Sequence, residues 1–168
     1  MADIRFLGQI VTLEPQYGTF DTTLDDKSRV VIPAGVREWY KGELWMTLGM
    51  QTCVWIMLPE EWKQLQEDIE NGSASLTEEE YEDLKYKYIY PAKSTEIDEK
   101  SGRIPVPGPI RTYARLVKDC LVISATRHLE IWDSETFYDY LETKRSRIQD
   151  TTNRLNTKFF RSKKEKYA

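Results

Sequence analysis

The sequence of 168 residues has only one histidine and two cysteines, which is too few for the four closely spaced ligands of a zinc cluster. Cys53 and Cys120 lie far apart in the chain, each among apolar neighbours, so we predict two reduced core residues rather than a disulfide. His128 has no nucleophile paired with it in the sequence, and we interpret it as a surface imidazole. We therefore expect no metal and no cofactor.

Long hydrophobic runs and catalytic motifs are also missing. No apolar run approaches the roughly 20 residues that span a bilayer, and the first residues have neither the basic segment nor the cleavage site of a signal peptide. The sequence contains no glycine-rich phosphate motif and no Gly-x-Ser-x-Gly. With 40% hydrophobic and 31% charged residues, the chain is predicted to be a globular cytoplasmic protein and not an enzyme.

An internal repeat is the main feature that is present. Residues 29–37 read RVVIPAGVR and residues 103–111 read RIPVPGPIR, so both begin and end with arginine and have proline at the fifth position. An acid four residues before the first arginine recurs as Asp25 and Glu99. Because a half of about 75 residues is small for an independent core, we predict one pseudo-symmetric α+β domain made of two similar halves.

Each half is predicted to contain a strand, a tight polar turn, a short strand, a short helix that starts at proline, a hairpin and a second helix. The expected ranges are 17–24, 25–28, 29–32, 33–40, 45–58 and 59–69 in the first half, and 88–97, 98–102, 103–106, 107–115, 118–132 and 133–149 in the second. Between the halves, Thr77 and Glu80 form a capping box that starts a linker helix. These patterns divide the chain into an N-terminal extension (1–16), a first half (17–71), a linker helix (72–87), a second half (88–142) and a basic C-terminal helix and tail (143–168).

The segment LDDKSRVVIP (24–33), together with GRIPVP (102–107) and LEIW (129–132), resembles the MraZ family, whose members carry two tandem AbrB-like (SpoVT-type) half-domains. The resemblance covers roughly residues 17–142. It implies an α+β fold in which two swapped-hairpin β-barrel halves with flanking helices assemble into ring-shaped homo-oligomers. It also implies a bacterial transcription regulator at the nucleoid. Such a regulator binds repeats in double-stranded DNA upstream of the division and cell wall gene cluster, including its own gene.

The resemblance further implies that a turn of the form Asp-x-x-x-Arg faces DNA. In this sequence the turn falls on Asp25 to Arg29 and, less closely, on Glu99 to Arg103. An arginine guanidinium can bind a phosphate or the O6 and N7 atoms of guanine with two hydrogen bonds, which suits DNA contact by Arg29 and Arg103. Asp25 and Glu99 are expected to orient the turn or its arginine. The residues alone leave open that Asp25 and Arg29 simply pair to close the turn.

Other cations near the turns have simpler interpretations. Lys27 and Lys100 are flexible charges that suit contacts with backbone phosphates. Arg37 and Arg111 end the short helix of each half, where a cation favours the helix dipole. We interpret these two arginines as structural.

The sequence departs from the family pattern at three positions. Ser28 stands where the family usually has glycine, so the turn is strained if that residue needs a positive φ. In the second half Glu99 replaces aspartate, and Pro105 interrupts a strand that normally donates hydrogen bonds. We therefore expect the first turn to contribute more than the second.

The charge balance is unusual for a DNA-binding protein. The formal net charge is −4 at pH 7, and a few cationic contacts per chain would bind DNA weakly at physiological salt. We therefore predict a homo-oligomer in which several turns bind together. The alternative function is a protein-interaction or scaffold module that has kept the fold and lost DNA binding.

The basic C-terminal tail allows two interpretations. Its cations, Lys158, Arg161, Lys163 and Lys164, flank Phe159 and Phe160. They belong either to a solvated terminus or to an arm that contacts DNA without sequence preference.

Overall fold

The computed structural model describes residues 3–6, 9–12 and 17–167, and it describes side chains for residues 17–156. The chain divides into two compact units, Met1–Ser134 and Glu135–Ala168. The first unit contains both copies of the repeated arginine motif, and the second consists of helix. No helix among the described residues is long and apolar enough to cross a membrane.

The first repeat follows the predicted order of elements. Before it, β1 (Asp3–Phe6) and β2 (Gln9–Thr12) form an antiparallel pair. The repeat itself contains β3 (Gly18–Thr23), β4 (Arg29–Val31), α1 (Ala34–Arg37), β5 (Leu44–Leu48), β6 (Val54–Met57) and α2 (Pro59–Gly72). Pro33 is the N-cap of α1 and Pro59 is the first residue of α2, where the missing N–H of proline costs no hydrogen bond.

Between the repeats lie α3 (Glu78–Leu84) and a π-helical segment (Lys85–Ile89). The second repeat then has the same order of strands and helices as the first: β7 (Lys93–Thr95), β8 (Arg103–Pro105), α4 (Gly108–Tyr113), β9 (Asp119–Ser124), β10 (Leu129–Asp133) and α5 (Ser134–Tyr167). The predicted cap of the linker helix is present, since the Thr77 hydroxyl accepts a hydrogen bond from the N–H of Glu80 at 3.1 Å.

The strand predicted over residues 88–97 is wrong in its first part. The predicted strand begins at Tyr88, but the helical backbone continues through Ile89, and the N–H of Tyr90 donates to the carbonyl of Lys85 at 2.9 Å. Pro91, which has no N–H to donate, follows this segment. Only the three residues of β7 remain for the strand.

The last helix is longer than predicted. It runs from Ser134 to Tyr167, where the sequence predicted residues 133–149, and no proline or glycine interrupts it. The predicted arm of Lys158, Arg161, Lys163 and Lys164 with Phe159 and Phe160 lies outside the residues whose side chains are described.

The strands of the two halves are interleaved in one antiparallel sheet with the order β3-β9-β10-β6-β5-β7. The strand before each turn pairs with the hairpin of the other half: β3 pairs with β9, and β7 pairs with β5. The two hairpins meet where β10 pairs with β6. A separate two-stranded pair joins β4 to β8. The hydrogen bonds of each half are therefore completed by the other half.

The structure corrects the prediction of β-barrel halves. Among the described strands the six-stranded sheet stays open, because β3 and β7 lie at its two edges and do not pair with each other. β7 has only three residues and pairs with a single neighbouring strand, β5. The architecture is a mixed α+β fold with an open antiparallel sheet and no closed barrel within the described part of the chain.

The hydrophobic core contains side chains from both halves. Val30, Val36 and Leu44 of the first half are fully buried, as are Ile104 and Ile131 of the second. Burying each such side chain fully contributes about 1.5–3 kcal/mol relative to leaving it exposed. The shared core explains how two short halves form one domain.

Both cysteines are free and buried, as predicted. Burial raises the pKa of Cys120 to about 11 and raises the pKa of Cys53 further. A thiol of raised pKa is a poor nucleophile at neutral pH because little of it is ionised. Cys53 and Cys120 therefore act as small hydrophobic residues.

A half-buried carboxylate connects the two hairpins. Glu130 of β10 lies opposite Trp55 of β6, and its carboxylate accepts hydrogen bonds from the indole N–H groups of Trp55 at 2.9 Å and Trp132 at 3.0 Å. The Nε2 atom of His128 lies 3.1 Å from the same carboxylate, and the His128 ring centroid lies 4.5 Å from that of Trp55. The interpretation of His128 as a surface imidazole is therefore too simple, since it packs in this cluster.

Candidate nucleic-acid interface

The two predicted arginines come together at the pair of β4 and β8. In this antiparallel pair Arg103 lies opposite Val31. Val30 and Ile104 are fully buried, and because side chains alternate along a strand, Arg29 and Arg103 lie on the opposite face. Each arginine side chain keeps 37% of its surface exposed. Strand pairing thus places the arginines of both repeats on one outer face.

Asp25 holds the first turn together. Its Oδ1 atom accepts hydrogen bonds from the backbone N–H groups of Lys27 and Arg29, both at 2.9 Å. Its Oδ2 atom accepts one from Nε of Arg29 at 2.9 Å, and Nη2 of Arg29 lies 2.9 Å from the same oxygen. Burial raises the pKa of Asp25, but the hydrogen bonds from Arg29 and Lys27 and the Arg29 charge outweigh burial and lower it. The predicted pairing of Asp25 with Arg29 is therefore present and also positions the guanidinium.

Arg103 shares the same carboxylate. Its Nε atom lies 3.3 Å from Oδ2 of Asp25, at ion-pair distance but without hydrogen-bond geometry. Within the described residues, Nη1 of Arg29 and both Nη groups of Arg103 have no hydrogen-bond partner. One carboxylate therefore faces two guanidinium charges and leaves donors available for an anion.

Asp98, and not Glu99, organises the second turn. The carboxylate of Asp98 accepts hydrogen bonds from the N–H and the hydroxyl of Ser101, both at 2.7 Å. These two hydrogen bonds lower the pKa of Asp98. Glu99 is exposed, and over residues 17–156 it has no hydrogen-bond or ion-pair partner. The prediction that Glu99 orients the turn is corrected to Asp98.

The correction follows from the length of the second turn. The N–H of Asp25 donates to the carbonyl of Arg29, four residues along, whereas the N–H of Asp98 donates to the carbonyl of Arg103, five residues along. Aligning LDDKS (24–28) with IDEKS (97–101) finds the matching acid and leaves Gly102 as the inserted residue. The sequence therefore contains the match between Asp25 and Asp98. Counting four residues back from Arg103 gives Glu99 instead.

Each turn contains one residue in the left-handed region. Ser28 has φ of 59° and Gly102 has φ of 69°. The sequence predicted strain if Ser28 had a positive φ, and it does. A Cβ atom disfavours this conformation. At Gly102 the positive φ disfavours a side chain, and an added Cβ would also displace the guanidinium of Arg37.

Replacing Ser28 with glycine is expected to stabilise the protein. Removing a left-handed non-glycine residue relieves about 1–2 kcal/mol, and the extra freedom of glycine in the unfolded chain takes back roughly 0.4–1 kcal/mol. The free energy of unfolding should rise by about 0.5–1 kcal/mol, measured by urea denaturation at constant protein concentration. Ser101→Gly is the matched control: it removes the hydroxyl bonded to Asp98 without relieving strain, so it should destabilise. A midpoint for Ser28→Gly at or below that of the parent would contradict the strain.

The remaining predicted cations differ in their surroundings. Lys27 and Lys100 are exposed, and neither ammonium group has an acidic partner in the described part of the chain. Arg111 donates a hydrogen bond from Nη1 to the carbonyl of Val106 at 2.9 Å, and Arg37 packs against Gly102. The lysines are free to contact a ligand, whereas the two arginines have contacts within the fold.

Arg29 and Arg103 line an open cleft that also has acidic walls. The other lining residues are Glu43, Ser94, Thr95, Glu96, Asp98, Ser101 and Pro105. Among the described residues, no group of three or more histidine, cysteine, aspartate or glutamate side chains could hold a metal ion. The cleft therefore has two guanidinium groups beside the carboxylates of Glu43, Glu96 and Asp98.

Comparison with known proteins agrees with the repeat and its turns. The model of the MraZ protein family, described as antitoxin-like, matches residues 17–84 and 89–158. A protein of Micrococcus luteus named transcriptional regulator MraZ is 35% identical over 134 residues, which are 80% of this chain and 92% of that protein. Proteins of the same name from Kineococcus radiotolerans and Kocuria rhizophila are 36% and 33% identical, over 74% and 80% of this chain and 85% and 92% of their own length. The chain therefore belongs to the MraZ family.

Proposed function

We propose that this protein is a transcription regulator that binds double-stranded DNA sequence-specifically. Arg29 and Arg103 contact base edges or phosphates, and Lys27 and Lys100 contact phosphates. The observation that supports this most is the sharing of one Asp25 carboxylate by two guanidinium groups, 2.9 and 3.3 Å away, with Nη1 of Arg29 and both Nη groups of Arg103 left available. A held guanidinium loses less freedom on binding than a mobile one, which favours recognition of a defined base.

Asp25 and Asp98 have positioning roles in this proposal. Asp25 fixes the direction of the Arg29 fork, because it bonds both the backbone and the side chain of that residue. Asp98 bonds the N–H and the hydroxyl of Ser101 in its own turn and, among the described residues, does not bond the Arg103 side chain. Arg103 is therefore less constrained than Arg29, and the first turn should supply more of the sequence preference.

The DNA target and the assembly extend the proposal. The names of the relatives favour regulation of transcription, and we place the target in repeats upstream of the division and cell wall gene cluster, including the protein's own promoter at the nucleoid. The net charge of −4 opposes tight binding by one chain, so several chains must bind together in a homo-oligomer.

The test is a titration of the full-length protein against the duplex immediately upstream of its own gene. Binding should resist an excess of scrambled duplex and weaken with salt, with a slope of about −0.9 for each phosphate neutralised. Sedimentation at micromolar concentration should find an oligomer. Equal affinity for both duplexes would contradict sequence-specific regulation and favour the interaction module, while a strict monomer would contradict the assembly.

A further inference from the structure

The loop between α4 and β9, residues 115–118, lies directly beside the first turn. Thr23, the last residue of β3, pairs with Asp119, the first residue of β9. The next residue of the first segment, Leu24, donates its N–H to the carbonyl of Lys118 at 2.8 Å. Leu24 also forms a bridge with Val30, next to Arg29. The loop and the Asp25 turn therefore lie next to each other at the same end of the sheet.

Three of the four side chains of this loop are exposed, and the fourth, Leu116, packs into the core. Arg115 and Lys118 are both exposed, and between them Val117 exposes 78% of its surface. Neither cation has an acidic partner within the part of the chain that the structure describes. Two free positive charges at the end of the sheet where Arg29 lies are suited to a polyanion.

The backbone of the loop is strained at one of these cations. Arg115 has φ of 56° and follows α4 as its left-handed terminating residue, with the N–H of Leu116 bonded to the carbonyl of Arg111 at 3.1 Å. Glycine is the usual residue for such a position. The corresponding loop of the first half has its left-handed residue at a glycine, Gly42, with φ of 77°. The left-handed backbone at Arg115 therefore costs folding free energy. Because the Arg115 side chain is exposed, packing does not recover this cost.

The loop beside the second turn has the opposite character. Lys41 is already paired with Glu38 at 3.3 Å. Glu43 accepts a hydrogen bond from the Ser94 hydroxyl and lines the cleft of Arg29 and Arg103. The loop beside the second turn therefore offers no unpaired cation among the described residues, whereas the loop beside the first turn offers two.

We propose that the loop of residues 115–118 is an additional DNA-backbone contact, in which Arg115 and Lys118 bind phosphates on the strand next to the one that Arg29 reads. The proposal rests on the proposed DNA-binding function and adds two residues to it. These contacts supply affinity without sequence information, because phosphates are the same at every base pair. The loop beside the second turn makes no equivalent contact, because its lysine is paired with Glu38.

The test compares two loop variants with a matched control in the full-length protein. The probe is the duplex from immediately upstream of the gene, and affinity is measured over a range of salt concentrations. Lys118→Gln should lower the magnitude of the salt slope by about 0.9 for each chain that contacts DNA, with the ratio of specific to scrambled affinity unchanged. Lys41→Gln removes the same charge beside the second turn and should leave the slope unchanged.

Arg115→Gly separates a DNA contact from a structural role. Glycine relieves the left-handed backbone, so the thermal midpoint should rise while the salt slope falls as in Lys118→Gln. A residue kept for folding would lower the midpoint instead. Sedimentation of both variants checks that the assembly is unchanged.

The outcomes distinguish this proposal from the function on which it rests. If an Arg29 variant loses sequence preference but both loop variants keep the parental salt slope, the loop contact is overturned and the function stands. If the parent has no preference for the upstream duplex, the proposed function is contradicted and the loop contact is contradicted with it. Equal changes in Lys118→Gln and Lys41→Gln would indicate a general charge effect and overturn the loop contact.

Discussion

Replacing Arg29 with glutamine is expected to abolish the preference of the protein for its upstream DNA. Each good bidentate contact with a base is worth about 1–3 kcal/mol of discrimination, or roughly 5- to 150-fold in affinity per contacting turn. The effect multiplies when several chains bind one DNA molecule. Because the Arg29 side chain is 37% exposed and outside the core, the variant should keep its fold. Competition between specific and scrambled duplexes measures the loss, and circular dichroism checks the fold.

Asp25→Asn tests whether the position of the guanidinium matters as much as its charge. The variant keeps Arg29 and removes a negative charge, so nonspecific attraction to DNA should be equal or stronger. It also removes the carboxylate that bonds the Arg29 backbone and side chain, so sequence preference should fall while the salt slope does not. Lys63→Gln on α2 removes one cation far along the chain from both turns and is the control.

For the Arg29 prediction, an Arg29→Gln variant that kept the parental preference for the upstream DNA would exclude the first turn from the DNA interface.

Replacing Glu130 with alanine is expected to have the largest effect on stability among the polar residues. The carboxylate bonds two indole N–H groups, and the side chain of Glu130 is 21% exposed. Losing these charged hydrogen bonds and leaving buried donors unpaired should lower the free energy of unfolding by about 2–4 kcal/mol. Glu130→Gln keeps one acceptor oxygen and the side-chain volume, so it can still accept from one indole N–H and its loss should be smaller than that of Glu130→Ala. Urea denaturation of both variants measures the difference, and equal stability of parent and Glu130→Ala would contradict the role of the cluster.

The same carboxylate predicts a dependence of stability on pH. Burial raises the pKa of Glu130, but the hydrogen bonds from His128, Trp132 and Trp55 outweigh burial and lower it below the ordinary value of 4.5. A carboxyl whose pKa is lower in the folded state stabilises the fold above its unfolded pKa, and this stability is lost as pH falls through the folded pKa. Between pH 7 and pH 3 the parent should therefore lose more stability than Glu130→Gln. Asp25 and Asp98 have lowered pKa values in both proteins and cancel in the comparison.

The sequence by itself determined the repeat, the family, most element boundaries and the residues of the first turn. These features are local: alternation of apolar residues predicts a strand, proline predicts the start of a helix, and a motif is read along a few residues. The same local reasoning placed the linker-helix cap at Thr77 and the buried thiols at Cys53 and Cys120 correctly. It was wrong at the start of the strand predicted over 88–97, because the helical backbone continues through Ile89.

Only the tertiary structure decided how the halves combine. Which strand pairs with which is a long-range choice, so the exchange of β3 and β7 between halves and the open sheet were beyond local pattern. The pairing of β4 with β8 brings Arg103 to the carboxylate of Asp25 from a distant part of the chain. A single inserted residue, Gly102, moved the acid of the second turn from Glu99 to Asp98. The chemistry of the face depends on these contacts, because a guanidinium is positioned by the groups around it and not by its place in the sequence.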